Sequence, residues 1–283
     1  MKHLFTNLKR FDVPRTRGGV NDLAPPSDWA ATILGAVSES LRRYRPHEFT
    51  FFLPESHVLP AIAAAGDNVN IGCQSVSSTD TAPGGNFGAM TAERSANSMA
   101  ACGVTSVLVG HSEERAALVD LLARFHGTST SRSEYARFAD QEMNLRARAA
   151  QQAGLQVVLC IGESSDQREE WADVVAAQLD QGLSGLDDTR LALAYEPIWA
   201  IGPGKTPPTP TEISEVARFV KAQAPGIPLV YGGGLKVENA AMLAAVPDID
   251  GGLIALTRFS GDIGFNPNEY LDIVNTYLTT AGA

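Results

Sequence analysis

Polar residues stand where several apolar runs of this chain end, and their types fit one kind of chemistry. Glu196 follows Leu191 to Tyr195, a run with the length and bounds of a buried strand. His111 follows Thr105 to Val109 through Gly110, and Asn7 and Lys9 follow Leu4 to Thr6. Asn7 and Lys9 are two residues apart and so share one side of extended backbone. A carboxylate on a rigid strand end can take a carbon-bound proton. An imidazole and an ammonium can polarise the neighbouring carbonyl and stabilise the enediolate that forms. Beyond Glu196 come Pro197, the apolar stretch Ile198 to Ile201, and Gly202 and Gly204 around Pro203. That is the composition of a lid with an apolar inner face and a glycine pair able to approach an anion closely. Taken singly, each group has a plainer reading: a solvated Glu before a helix, a solvated Lys, a histidine satisfied within the fold. Their recurrence at strand ends favours a shared site.

The elements that must position these groups are short apolar runs alternating with helical patterns. Eight strands are expected: Leu4 to Thr6, Phe49 to Leu53, Val69 to Cys73, Thr105 to Val109, Val157 to Ile161, Leu191 to Tyr195, Pro228 to Tyr231 and Gly252 to Ala255. Between them, Ser27 is placed to cap a helix carrying Ile33, Val37 and Leu41, and Trp171, Val175 and Leu179 repeat that spacing. Thr209-Pro210-Thr211-Glu212 reads as a capping box with Pro at the first helical position, ahead of Ile213, Val216 and Val220. Strands alternating with helices predict parallel β-α-β units, and eight strands close a (β/α)8 barrel. The competing arrangement is an open doubly wound sheet, but no G-x-G-x-x-G follows the first strand, so a dinucleotide site gains no support. No repeat or linker divides residues 1–283, which read as a single domain. Two segments exceed a minimal barrel: Ala116 to Gly154, interrupted by the polar stretch His126 to Ser131, and the glycine-rich Ser260 to Asn268.

The chain of 283 residues carries a net charge of -10 and is 44% hydrophobic. The acidic balance argues against a nucleic-acid partner, which needs a basic face. It leaves room for a phosphorylated small molecule held by backbone N–H groups and a local cation. Cys73, Cys102 and Cys160 lie far apart in small or apolar surroundings without metal-ligand spacing, and read as free thiols in a reducing compartment. Met1 to Arg10 is too polar for a secretory signal, and no run approaches a membrane span. A cytoplasmic protein without membrane attachment is expected.

The chain resembles the triosephosphate isomerase family over nearly its whole length. The resemblance rests on Asn7-x-Lys9, Val109-Gly110-His111-Ser112-Glu113, Cys160-Ile161-Gly162-Glu163, Tyr195 to Gly202, Tyr231-Gly232-Gly233 and Pro247 to Gly251, in the family's order and spacing. It implies a TIM barrel and an isomerase of glycolysis and gluconeogenesis that works without metal or organic cofactor. It also implies roles. Glu196 would be the base, His111 the neutral electrophile, Lys9 a cation near the substrate oxygens, and Asn7 a substrate-orienting group. Ser112, Glu113 and Tyr231 would support the site. Ile198 to Lys205 would form the lid, and Gly202, Gly233, Gly234, Ala255 and Leu256 would surround the phosphate. A homodimer is implied as well.

The departures from the family fall at the phosphate end and at the interface. Gly234 stands where members carry Ser, Ala255-Leu256 where they carry Gly-Gly, and Pro203 where Thr is usual. Leucine adds bulk where backbone should approach an anion, and a restricted φ is expected there. Arg258 is expected either to offer phosphate a guanidinium fork or to sit solvated. Asn86-Phe87-Gly88-Ala89 replaces the aromatic-Thr-Gly-Glu of the interface loop, and Glu114 replaces the Arg that pairs with that acid, so an altered interface is expected. The substrates implied are dihydroxyacetone phosphate and glyceraldehyde 3-phosphate. The alternatives are a four-carbon sugar phosphate, or a vestigial barrel that only binds ligand.

Overall fold

In the computed structural model, which describes residues 1–126, 132–202 and 204–282, eight parallel strands close into a barrel in sequence order. They are β1 (His3–Asn7), β2 (Glu48–Leu53), β3 (Asn70–Gln74), β4 (Ser106–Val109), β5 (Gln156–Ile161), β6 (Leu191–Tyr195), β7 (Leu229–Tyr231) and β8 (Gly251–Ile254). Each expected strand is present, with its ends within one residue of the reading above. β1 pairs with β2 on one side and β8 on the other, which closes the barrel and rules out the open sheet. The register pairs Ile161 with Tyr195 and Tyr195 with Tyr231, so the C-terminal ends of β5, β6 and β7 lie level.

The helices outside are α1 (Trp29–Leu41), α2 (Val58–Ala64), α3 (Ala96–Ala101), α4 (Ser112–His126), α5 (Arg132–Gln152), α6 (Trp171–Gly182), α7 (Pro210–Gln223), α8 (Val237–Ala244) and α9 (Pro267–Ala281). Their stripes are the expected ones. Ile33, Val37 and Leu41 of α1 are buried, as are Val175 and Leu179 of α6 and Ile213, Val216 and Val220 of α7. Trp171 is half-buried and meets Phe219 edge-on at 5.2 Å. The box at α7 is formed as expected: Glu212 N–H donates to Thr209 Oγ1, and Thr209 N–H donates to Glu212 Oε2 at 2.7 Å. At α1 the expectation is corrected. Asp28, not Ser27, is the N-cap residue, and its side chain makes no capping bond. Residues 127–131 of the expected interruption lie outside the described residues, as does Pro203.

Strand alternation divides the buried strand residues into two cores, and a smaller cluster of Val119, Tyr135 and Ala139 lies between α4 and α5. One lies between barrel and helices. The other fills the barrel with Phe5, Phe52, Leu108, Val158, Cys160, Val230 and Leu253. Gly72 makes room for Phe52, since a methyl group at position 72 would lie 2.4 Å from the ring. At the N-terminal mouth, His3 Nδ1 contacts Glu48 Oε2 at 2.6 Å. Glu48 Oε1 accepts from Thr50 Oγ1 at 3.2 Å and from Asn70 Nδ2 at 3.3 Å. Among the described residues, no helix is long and apolar enough to cross a membrane.

Candidate active site

Glu196 is placed by backbone. Its N–H donates to Ile161 O at 2.7 Å, tying the end of β6 to β5. The strands on either side come so close that a methyl group on Gly162 would lie 1.9 Å from the Glu196 carbonyl oxygen. One on Gly232 would lie 3.0 Å from Glu196 Cγ. The carboxylate is 3% exposed. Oε2 accepts from the Ser112 N–H at 3.0 Å, at the start of α4, and Oε1 faces His111 Nε2 at 3.1 Å. Burial dominates and raises the pKa of Glu196; His111, the Ser112 N–H and Lys9 offset it in part.

His111 is held from the other side. The Glu113 N–H donates to its Nδ1 at 3.3 Å. A nitrogen that accepts carries no proton, so the ring proton of the neutral tautomer sits on Nε2, aimed at Glu196. Lys9 has φ of +40°. Its N–H donates to Asn7 Oδ1 at 3.1 Å, and its Nζ donates to Glu113 Oε1 at 2.7 Å. Burial opposes charge on Glu113, but the hydrogen bond and charge of Lys9, with His111 nearby, hold its pKa below the ordinary value.

Two further positioning side chains are absent from the sequence reading. Gln74 ends β3 as Asn7 ends β1, and its Nε2 donates to Asn7 Oδ1 and Lys9 O, both at 3.1 Å. Its place at a strand end was the available signal. Arg115 is buried; it donates to Gly110 O at 2.8 Å and Cys160 O at 3.0 Å and pairs with Asp140. It clamps the ends of β4 and β5 beside the site. Only three-dimensional packing identifies it.

Asn7, Lys9, His111, Glu113 and Glu196 line one end of a cavity of about 380 Å³ at the C-terminal mouth. Gly202, Gly234, Ala255 and Leu256 line the other end, with Leu253 and Phe259. Gly233 is not on this surface. A methyl group there would lie 2.1 Å from the Tyr231 hydroxyl, which donates to Gly233 O at 3.3 Å, so both support the wall from behind. Leu256 needs no special backbone: the described non-glycine residues with positive φ are Lys9, Ser75, Phe87 and Asp248. The expected φ restriction therefore does not arise. Arg258 is exposed and outside the lining of this cavity, which favours the solvated reading over the phosphate fork; its Nε donates to Glu269 Oε1 at 2.5 Å. Among the described residues, no group of three or more His, Cys, Asp or Glu side chains is placed to hold a metal ion.

The lid segment begins with a turn at Ile198–Ala200. Glu163 anchors it: Oε1 accepts from Trp199 Nε1 at 2.6 Å and Tyr195 Oη at 3.0 Å, and the Ile198 N–H donates to Glu163 O at 3.1 Å. Burial raises the pKa of Glu163 against these bonds. The Arg168 guanidinium stacks 3.8 Å above the Trp199 ring. Gly202, with φ of +114°, lines the cavity.

At the expected interface, Glu114 is satisfied within its own chain. It accepts from the Gly110 N–H at 2.8 Å, from Arg146 Nη1 at 2.7 Å and from Ser75 Oγ.

The model of the family described as triosephosphate isomerase matches residues 27–276. A triosephosphate isomerase of Synechococcus sp. (strain RCC307) is 36% identical over 78% of this chain and 77% of its own. Those of Nostoc punctiforme and Parasynechococcus marenigrum are 36% and 35% identical, over 68% and 78% of this chain and 70% and 81% of theirs. The crystal structure of triosephosphate isomerase from Bartonella henselae superposes with a TM-score of 0.69 over 98% of each chain, at 22% identity, which speaks for the fold.

Proposed function

The chain belongs to the triosephosphate isomerase family and is an aldose–ketose isomerase, and from that premise we propose how its residues carry the reaction. The substrate pair is dihydroxyacetone phosphate and glyceraldehyde 3-phosphate. Substrate enters between Glu196 and His111, replacing their 3.1 Å contact. Glu196 removes the proton from the carbon beside the carbonyl, and the electron pair moves through the new carbon–carbon double bond onto the carbonyl oxygen. His111 Nε2–H and Lys9 Nζ stabilise that oxygen. Glu196 then returns its proton to the neighbouring carbon, while the proton of the hydroxyl oxygen passes by way of His111 Nε2 to the former carbonyl oxygen, so that the old carbonyl becomes a hydroxyl as the new carbonyl forms. Asn7 orients the substrate, and residues 198–205 cover it and exclude water.

The observation that carries this reading is the buried Glu196 facing a histidine whose Nδ1 already accepts a backbone N–H. The test is isomerisation of glyceraldehyde 3-phosphate by the purified protein beside Glu196→Gln. Equal turnover by the two would remove Glu196 from its role.

Phosphate lies among Gly202, Gly234, Ala255 and Leu256, held by backbone N–H groups, with Gly233 and Tyr231 behind. The chain acts as a single domain in the cytoplasm, a reading supported by its free cysteines, two of them buried. It forms a homodimer. What supports this is an apolar pairing of surfaces: Phe87 is 89% exposed between β3 and α3, and a recess of about 490 Å³ beside Lys9 has Phe11, Val20 and Leu108 in its lining. In a two-fold pair each copy offers both knob and hole. Sedimentation of the wild type and Phe87→Asp tests this; two identical monomer profiles would overturn it.

A further inference from the structure

Phe259 lies in the segment between β8 and α9, where the chain departs from its family. The segment is stapled shut. Thr257 and Arg258 N–H both donate to Gly264 O at 3.1 Å, and Gly264 N–H donates back to Arg258 O at 3.3 Å. Thr257 Oγ1 donates to Glu269 Oε2 at 2.9 Å and accepts from the Asn266 N–H at 2.8 Å. With Arg258 also bonded to Glu269, the loop is closed across its own two limbs and tied to α9. It presents a half-buried ring at one spot. That ring lines the substrate cavity beside Leu256, and its Cζ would touch a side chain at position 234 at 3.7 Å. Lys236 Nζ stands 5.4 Å over the ring. A second cavity of about 240 Å³ has Phe259, Thr257, Lys236 and Arg258 in its lining, together with the carboxylates of Glu238 and Glu269. Phe259 is thus a wall common to both spaces.

We propose that Phe259 sets substrate length, closing the phosphate end against sugar phosphates longer than three carbons. This rests on the isomerase reading above. A water molecule takes about 30 Å³ of the liquid, so the space behind the ring is large enough for added CHOH units. The ring denies that space, and it offers an approaching phosphate no hydrogen-bond donor. Removing it would join the cavities and expose the Lys236 ammonium to the phosphate of a longer substrate.

The experiment compares the wild type with Phe259→Ala and Phe259→Leu, on glyceraldehyde 3-phosphate and on four- and five-carbon aldose phosphates. In Phe259→Ala, kcat/KM for the triose phosphate should fall about 10-fold, mainly through KM, because the reacting groups are untouched. The ratio of four-carbon to three-carbon kcat/KM should rise by about 10-fold or more, the scale at which pocket shape discriminates single groups. Leu should lie between. A melting curve shows that each variant is folded, and a merely structural role would lower activity on all substrates together. An unchanged ratio in both folded variants overturns the proposal. Calorimetric titration with erythrose 4-phosphate and with inorganic phosphate gives a readout independent of turnover. A wild type inert toward triose phosphate would sink the isomerase reading. The wall would still stand if Phe259→Ala gained affinity for erythrose 4-phosphate relative to inorganic phosphate, and would fall if it did not.

Discussion

Each mouth of the barrel holds a histidine against a glutamate, at 3.1 Å for His111 and Glu196 and at 2.6 Å for His3 and Glu48. Both carboxylates sit at strand ends, and burial works against the charge of both. The pKa of Glu48 nevertheless lies below its ordinary value, because bonds from His3, Thr50 and Asn70 outweigh burial. The pKa of Glu196 lies above it, because burial outweighs His111 and the Ser112 N–H. Partner number separates a carboxylate that holds strands together from one free to accept a proton. The barrel also separates them, with Glu196 at the C-terminal mouth, where barrels of this architecture carry their chemistry, and Glu48 at the other.

The comparison breaks most visibly at Glu196. Glu196→Gln should lower kcat by about 10²–10⁴-fold, the usual contribution of a general base. The same variant should melt higher at neutral pH, by about 0.5–2 kcal/mol in stability. A raised folded-state pKa means that the carboxylate costs stability as pH rises past its ordinary value, and glutamine removes that cost. In the wild type, kcat/KM should fall with acid around that raised value, above the usual carboxylate range. Next in size, Lys9→Met should reduce kcat/KM about 10²–10³-fold through lost stabilisation of the enediolate oxygen. A change confined to KM would mean that Lys9 only binds.

The opposite mouth should show the opposite pattern. Glu48→Gln should leave kinetics near wild type and cost about 1.5–3 kcal/mol, the range for hydrogen bonds to a charged group. Glu48 has a depressed folded-state pKa, so its contribution is present above the ordinary carboxylate value and fades as pH falls through the depressed one. The variant should therefore have a flatter acid limb in melting temperature against pH. Thr209→Ala, remote from both mouths, sets the baseline at about 1 kcal/mol from a lost helix cap, with activity intact.

The barrel was legible because each strand is a short apolar run and each helix keeps its stripe, so local pattern and global fold agree. That Glu196, His111, Asn7 and Lys9 would face one cavity was legible because they stand at strand ends, which a barrel brings together at one mouth. Gln74 and Arg115 escaped because their partners, Asn7 for one and Gly110, Cys160 and Asp140 for the other, include residues distant in sequence. Ser27 was misplaced by one residue as a cap, since both it and Asp28 are cap-forming types. Arg258 and Glu114 could not be read from type alone. Their partners Glu269 and Arg146 lie on other helices, and a charge with an undetermined partner reads equally as surface, ligand or interface.

The close approach of Gly162 to the Glu196 carbonyl bears on where this chain can accept mutations. No side chain can be added at a point 1.9 Å from main-chain oxygen without moving β5 or β6. Replacement of Gly162 by any other residue should therefore disturb the β5–β6 junction whatever substrate the enzyme meets. The 255–264 segment has no such constraint at Gly261, where a methyl group would meet nothing within 4 Å, although its φ of +66° favours glycine. Room for variation is thereby uneven: the loop after β8 has space for an added side chain where the β5–β6 junction beside Glu196 has none.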